Sequence, residues 1–363
     1  MEKVVKMSEN FPFIGAVNVT SPEIKCPGCG ASTGLKFDPA TSTILCPYCG
    51  LSSPLPQPGT IDSVQELDFN SALQRANVDW GRAKKLIVCT NCGGQTIYDA
   101  EQVTGACPFC GSASVTPAAE NAQIMAPNGI IPFAISKELT QKCFINFLKK
   151  KHCLVKSALN CQLENVIGIY LPFWTFDAFT ISSFSAHAYG HGNSDGYGFT
   201  GVWNQYFNDI VTYASDKINH PYISRVQKFD FKRVIPYSPE YLTGIPAERY
   251  TVGLNDGWER TKVQIQKKLK HDMWKQNRHT FYVEKIATNY YNVKFRCLLA
   301  PIYLATYRYG KHTYQVAING QTGEAFCPAP TYLGKLRPLF IIAGIILLII
   351  TILYAGLLYT YAS

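Results

Sequence analysis

Charge is scarce in this chain. Only 16% of its 363 residues are Asp, Glu, Lys or Arg, and none falls between Leu339 and Tyr359. The first residues, MEKVVKMSENFPF, lack an apolar run, which argues against a secretory leader. There is no glycine-rich nucleotide loop, no hydrolase serine motif and no readable pair of carboxylates, so no enzyme is expected. Histidine is sparse, seven in all. His187 and His191, in HAYGHGNSDGYG with Asp195, form the one pair worth weighing. The surrounding glycines argue against a shared helix face, and the stretch reads as a loop at a strand end. Basic residues are missing from the N-terminal third: residues 1–120 carry a net charge of −3 and residues 121–363 of +12. Phosphate binding needs Lys and Arg to displace counterions, so that third is poorly suited to nucleic acid.

Cysteine, in contrast, is plentiful, with thirteen residues. Eight form Cys-x-x-Cys pairs: Cys26/Cys29, Cys46/Cys49, Cys89/Cys92 and Cys107/Cys110. Sixteen residues separate Cys29 from Cys46 and fourteen separate Cys92 from Cys107, the spacing of four-cysteine zinc ribbons. Gly30, Gly50, Gly93 and Gly111 follow each second cysteine. A metal knuckle curls the backbone there, favouring a positive φ that glycine adopts without a Cβ penalty. A redox dithiol would instead open a helix in a βαβ unit; prolines follow Cys49. Two structural Zn2+ ions are therefore expected, each held by four thiolates with no open position. Cys143, Cys153, Cys161, Cys297 and Cys327 match no ligand spacing and read as small buried apolar residues.

The expected class is multidomain: two small β zinc ribbons, an α+β body built from an internal repeat, and one C-terminal transmembrane helix. The boundaries read as a leader over 1–23, ribbon one over 24–52, a proline-rich linker with a short helix over 53–85, and ribbon two over 86–116. Body repeats follow at 124–230 and 231–333. In the linker, Asp68 is the expected helix cap. Each repeat pairs a helix with strands. Leu139, Cys143 and Phe147 step by four in the first helix, and Ile265, Leu269 and Met273 in the second. Pro172 and Pro301 lie 129 residues apart in the strand regions. Asn319-Gly320 reads as a hairpin turn with positive φ. The uncharged run from Leu339 would span about 31 Å as a helix, enough to cross a bilayer, and the expected span is 338–360. Lys335 and Arg337 before it place the N-terminal body in the cytoplasm. Seven Lys or Arg in 259–278 and the cluster LKKKH at 148–152 would suit an anionic lipid surface.

Several stretches carry a resemblance. LPFWTFDA, IPYSPEYLTGIPAERYTV, LLAPIYLATYRY and VAINGQTGE, downstream of the paired ribbons, resemble bacterial TFIIB-type double-zinc-ribbon membrane proteins of the YdjG-like group. The resemblance implies a non-enzymatic role at the bacterial inner (cytoplasmic) membrane. It implies a TPM-domain partner and recruitment of an SPFH-domain protein and a phage-shock protein A homologue under envelope stress. The expected function is thus a membrane-anchored adaptor. The alternative is a membrane-tethered nucleic-acid-binding ribbon protein using Lys84 and Lys85 beside Cys89.

Overall fold

Two strands of unusual length organise the molecule. β9 (Leu163–Ala188) and β13 (Phe281–Tyr309) run antiparallel along almost their whole lengths. The computed structural model describes residues 25–32, 34–38, 41, 43–55, 64–71, 84–91, 95–99, 107–108, 112–118, 127–151, 156–189, 196–215, 222–277, 281–328 and 351. A three-stranded sheet holds β1 (Lys36–Asp38), β2 (Thr43–Leu45) and β3 (Ser52–Pro54). The large sheet adds β4 (Leu67–Asp68), β5 (Lys84–Cys89), β6 (Gln95–Asp99), β7 (Val115–Ala118), β8 (Gly129–Ile130), β10 (Gly198–Tyr213), β11 (Ile235–Pro236), β12 (Ala247–Glu248), β14 (His312–Asn319) and β15 (Ala325–Phe326). Among the described residues the α-helices with both ends placed are α1 (Thr140–Lys149), α2 (Ile223–Val226) and α3 (Leu254–Gln276).

The expected α+β class is therefore corrected. Strand makes up 46% of the chain against 22% helix, which makes the protein mainly β. The reason lies in β9 and β13. Their inner halves are buried on both faces and read as continuous apolar runs, so the sequence does not announce strands of 26 and 29 residues. Apart from Thr351, the expected membrane helix at 338–360 lies outside the described residues. Among the described residues no helix is long and apolar enough to cross a membrane, so the expected transmembrane helix is unsupported.

The β9–β13 register is symmetric. Leu171 pairs with Ala300, Pro172 with Leu299 and Tyr170 with Pro301, so the two prolines sit diagonally about one centre. A proline cannot donate to the ladder, but its carbonyl can accept: Ala214 N–H bonds to Pro172 O at 3.0 Å and Gly320 N–H to Pro301 O at 2.8 Å. The short strands follow the same pattern. β8 runs parallel to β13 and β12 parallel to β9. Each helix packs across the other half: α1 against β14 and β15, α3 against β10. Ile265, Leu269 and Met273 of α3 are fully buried, as their spacing requires, while in α1 the buried stripe is Thr140, Phe144 and Leu148. The expected α1 stripe was one residue off, and Leu139 is exposed.

The NGQTG turn differs from expectation. The left-handed residue is Gly323, with φ 74. Asn319 is fully buried. Its amide donates to the Val226 and Lys228 carbonyls at 2.7 and 3.1 Å. Its side-chain oxygen accepts from the Gln321 and Thr322 amides at 2.8 and 2.9 Å. It clasps the end of α2 to the sheet rather than merely turning a hairpin.

Candidate metal centre

The three-stranded sheet carries the first two cysteine pairs on matching knuckles. Cys26 N–H donates to Ala31 O at 2.8 Å and Cys46 N–H to Leu51 O at 2.9 Å. Gly30 and Gly50 donate back to Cys26 O and Cys46 O at 2.8 and 3.0 Å. The glycines have φ of 75 and 72, the curl read from sequence. The knuckles bring the Cys26, Cys29, Cys46 and Cys49 sulfurs within 4.8 Å of one another. Cys26 and Cys49 are 3.5 Å apart and Cys29 and Cys46 are 3.6 Å apart. A tetrahedral ion with sulfur ligands at ~2.3 Å requires edges of about 3.8 Å, so the four residues fit such an ion closely. An all-sulfur tetrahedron suits zinc or iron.

Electrostatics split the set: Cys26 is lowered, while Cys29 and Cys49 are raised. The Cys29 amide, bonding to the Cys26 sulfur, lowers that thiol to about 7 against burial. At Cys49 the Leu51 amide lowers the pKa, but the crowding of Cys26 and burial outweigh it and push it up to about 12. One thiol ionises readily and its neighbour resists, a conflict that a bound cation resolves.

The ribbon is docked on the body. Phe37 of β1 is buried, and its ring meets Tyr241 edge-on at 5.5 Å. Phe37 N–H donates to Thr243 O at 3.1 Å. Tyr241, Thr243 and left-handed Gly244 all come from the stretch SPEYLTG. The ribbon also exposes Leu45, Tyr48 and Leu51.

The second cysteine set is placed differently. Cys89 and Cys107 are buried in the body core beside Ile131, Ile169 and Leu171. Cys107 N–H donates to Ser112 O at 2.8 Å, repeating the knuckle bond. Cys92, Cys110, Gly93 and Gly111 lie outside the described residues, as do residues 72–76 of the short helix expected to begin at Asp68. Asp68 does accept from the Ser71 amide at 3.0 Å. β6 joins this region to the body through β12, where Ala247 pairs with both Ile97 and Tyr170. Lys84 and Lys85 lie on β5, paired with Asp99 and Tyr98. Of the histidine group, His187 ends β9 opposite Gly198; His191 and Asp195 lie outside the described residues.

Two sites were missed in the sequence. At the β12 junction, fully buried Glu248 accepts hydrogen bonds from Tyr213 and, at 2.6 Å, from Ser215, and burial raises its carboxyl to about 7. On the other, Arg296 pairs with Asp209 beside Asp177 and Glu66. Burial, then the neighbouring Asp177, raises Glu66. The AERY run already quoted contains Glu248, but an isolated acid gives no sign of burial.

The chain is similar to YdjG of Bacillus subtilis (strain 168), an uncharacterised protein. The two are 25% identical over 331 residues, covering 87% of this chain and 92% of that one. No protein-family model matches the chain, and no solved structure does. The likeness supports the YdjG-like resemblance over most of the chain; it brings no zinc-ribbon or phage-shock role with it.

Proposed function

We propose that this protein is a non-catalytic adaptor whose recruiting surface is a zinc-stabilised ribbon. One observation carries the reading. The four-sulfur site sits on a platform fixed to the body through Phe37, and the same ribbon leaves Leu45, Tyr48 and Leu51 exposed. Four thiolates close the coordination shell, which makes the ion structural. The ribbon's own core is only Cys26, Leu35, Ile44 and Cys46 with a few partly buried neighbours, too little to hold three short strands without a metal. A second zinc at Cys89, Cys92, Cys107 and Cys110 belongs to the same proposal, supported by the repeated knuckle bond at Cys107.

The partners in this reading are proteins of the SPFH-domain, TPM-domain or phage-shock protein A kind. Affinity purification of the full chain tests it against a Tyr48→Ser, Leu51→Ser variant. The wild type should retain proteins that the variant loses, with zinc content equal in both. An identical set of bound proteins would refute recruitment by the ribbon. Arg260, Lys267, Lys268 and Lys275 on the exposed side of α3 would face anionic lipid. Co-sedimentation with vesicles, with and without anionic lipid, tests that part; binding indifferent to lipid charge would remove it.

A further inference from the structure

The outer halves of β9, β10 and β13 form a three-stranded blade whose two edges are built differently. Along β13, residues Phe281 to Val293 include Glu284 and Lys285, and the register breaks at Val283/Lys285 and again at Tyr291/Lys294. Charges and bulges are how sheets blunt an edge against pairing. The inner end of β10 is guarded too. A bulge between Phe207 and Ile210 holds Asp209 at φ 51. Gln264 of α3 donates to the Val211 carbonyl at 3.3 Å and to the Thr212 hydroxyl at 2.8 Å.

The outer ten residues of β10, GFTGVWNQYF from Gly198 to Phe207, have none of these devices. They contain no charge, no proline and no bulge. Among the described residues β10 pairs with β9 alone, and none of them covers the backbone donors and acceptors on its other side, an edge about 34 Å long. On the face away from α3, Val202 is 65% exposed and Tyr206 55%.

We propose that this edge joins two copies of the chain, β10 to β10, antiparallel about a two-fold axis at Val202. A two-fold contact needs a self-complementary surface, and this edge supplies one. With no charge on the ten residues, no like pair meets across the junction. Keeping both α3-covered faces on one side restricts the possible registers. Centring on Val202 sets the exposed Val202 side chains against each other. It also places Gly198, the smallest residue of the outer face, opposite Tyr206, the largest. Space is open at Gly198: the nearest atom to an added Cβ would be Ala186 O at 4.0 Å. Shifting the centre one residue toward the N-terminus sets Val202 against Thr200 and Gly198 against Asn204. Shifting it the other way sets Val202 against Asn204 and Trp203 against itself. The joined sheet has six strands and carries the basic sides of both α3 helices on one face.

Disulfide trapping in the full chain tests both the partner and the register. Val202→Cys should give, on mild oxidation, a linked species of twice 40.4 kDa above the wild-type background. Facing Cα atoms in an antiparallel pair lie about 4.5–5.5 Å apart, within disulfide reach. Thr200→Cys should not link, because its own counterpart lies about 14 Å away. Val202→Lys should turn the dimer into a monomer in sedimentation velocity with an unchanged circular dichroism spectrum. A monomeric wild type would overturn the proposal, as would equal linking by the two cysteine variants or a Val202→Lys dimer.

Discussion

Replacing Glu248 by Gln should stabilise the protein at alkaline pH and do little at acid pH. Glu248 has no exposed surface, and among the described residues the hydroxyls of Tyr213 and Ser215 reach its carboxyl group. Burial raises its pKa from the ordinary 4.5 to about 7. For an acid held above its unfolded value, the favourable contribution is complete below 4.5 and is lost as pH rises through about 7. At ~1.4 kcal/mol for each tenfold change in proton affinity, ionised Glu248 costs about 3 kcal/mol of stability at pH 8 relative to the neutral acid. Glutamine resembles that neutral form at every pH. Urea unfolding of both proteins at pH 5, 6, 7 and 8 gives the difference between them, in which effects common to both, such as thiol protonation at the metal site, cancel. The variant's advantage should grow across this range and level off near pH 8. A difference that does not change with pH, or a wild type that is the more stable at pH 8, would refute the burial argument.

Three further outcomes follow from the geometry. Phe37→Ala should free the ribbon from Tyr241, raising hydrogen exchange at residues 35–38 while leaving bound metal unchanged; buried Phe→Ala changes typically cost about 3–5 kcal/mol. Gly50→Ala, forced to a φ of 72, should weaken metal retention in a chelator titration by the equivalent of about 1 kcal/mol, whereas Gly253→Ala, at a φ of −61, should not. Asn319→Ala strands the buried Val226 carbonyl and Gln321 amide and removes the part-buried bonds to the Lys228 carbonyl and the Thr322 amide. At about 1–3 kcal/mol for each buried group left unpaired, it should abolish cooperative unfolding or cost several kcal/mol.

The metal site was the most legible part of the sequence. Ligand spacing and the glycine after each pair are local signals, and Gly30 and Gly50 adopt the backbone that the knuckle demands. The fold was harder to read because long-range pairing decides it. Nothing in GIYLPFWTFDAF says that Leu171 will meet Ala300, or that the run continues as strand through Ala188. The α1 stripe was misread by one residue because Cys143 and Phe147 are apolar and sit beside the buried line of Phe144 and Leu148. Asn319 looked like a turn former because Asn-Gly usually is one; its burial depends on α2, ninety residues earlier in the chain. Docking of the ribbon runs through Phe37, whose ring partner Tyr241 lies in a motif recognisable only by resemblance.

The account rests on an ion gripped by four sulfurs. X-ray absorption at the metal edge of the purified full-length chain addresses it most directly. The expected spectrum is that of zinc with four sulfur neighbours at about 2.3 Å, and Cys26→Ser with Cys46→Ser should remove the ion of the first site. Nitrogen or oxygen in the shell, fewer than four sulfurs, or no metal in a folded chain would contradict it.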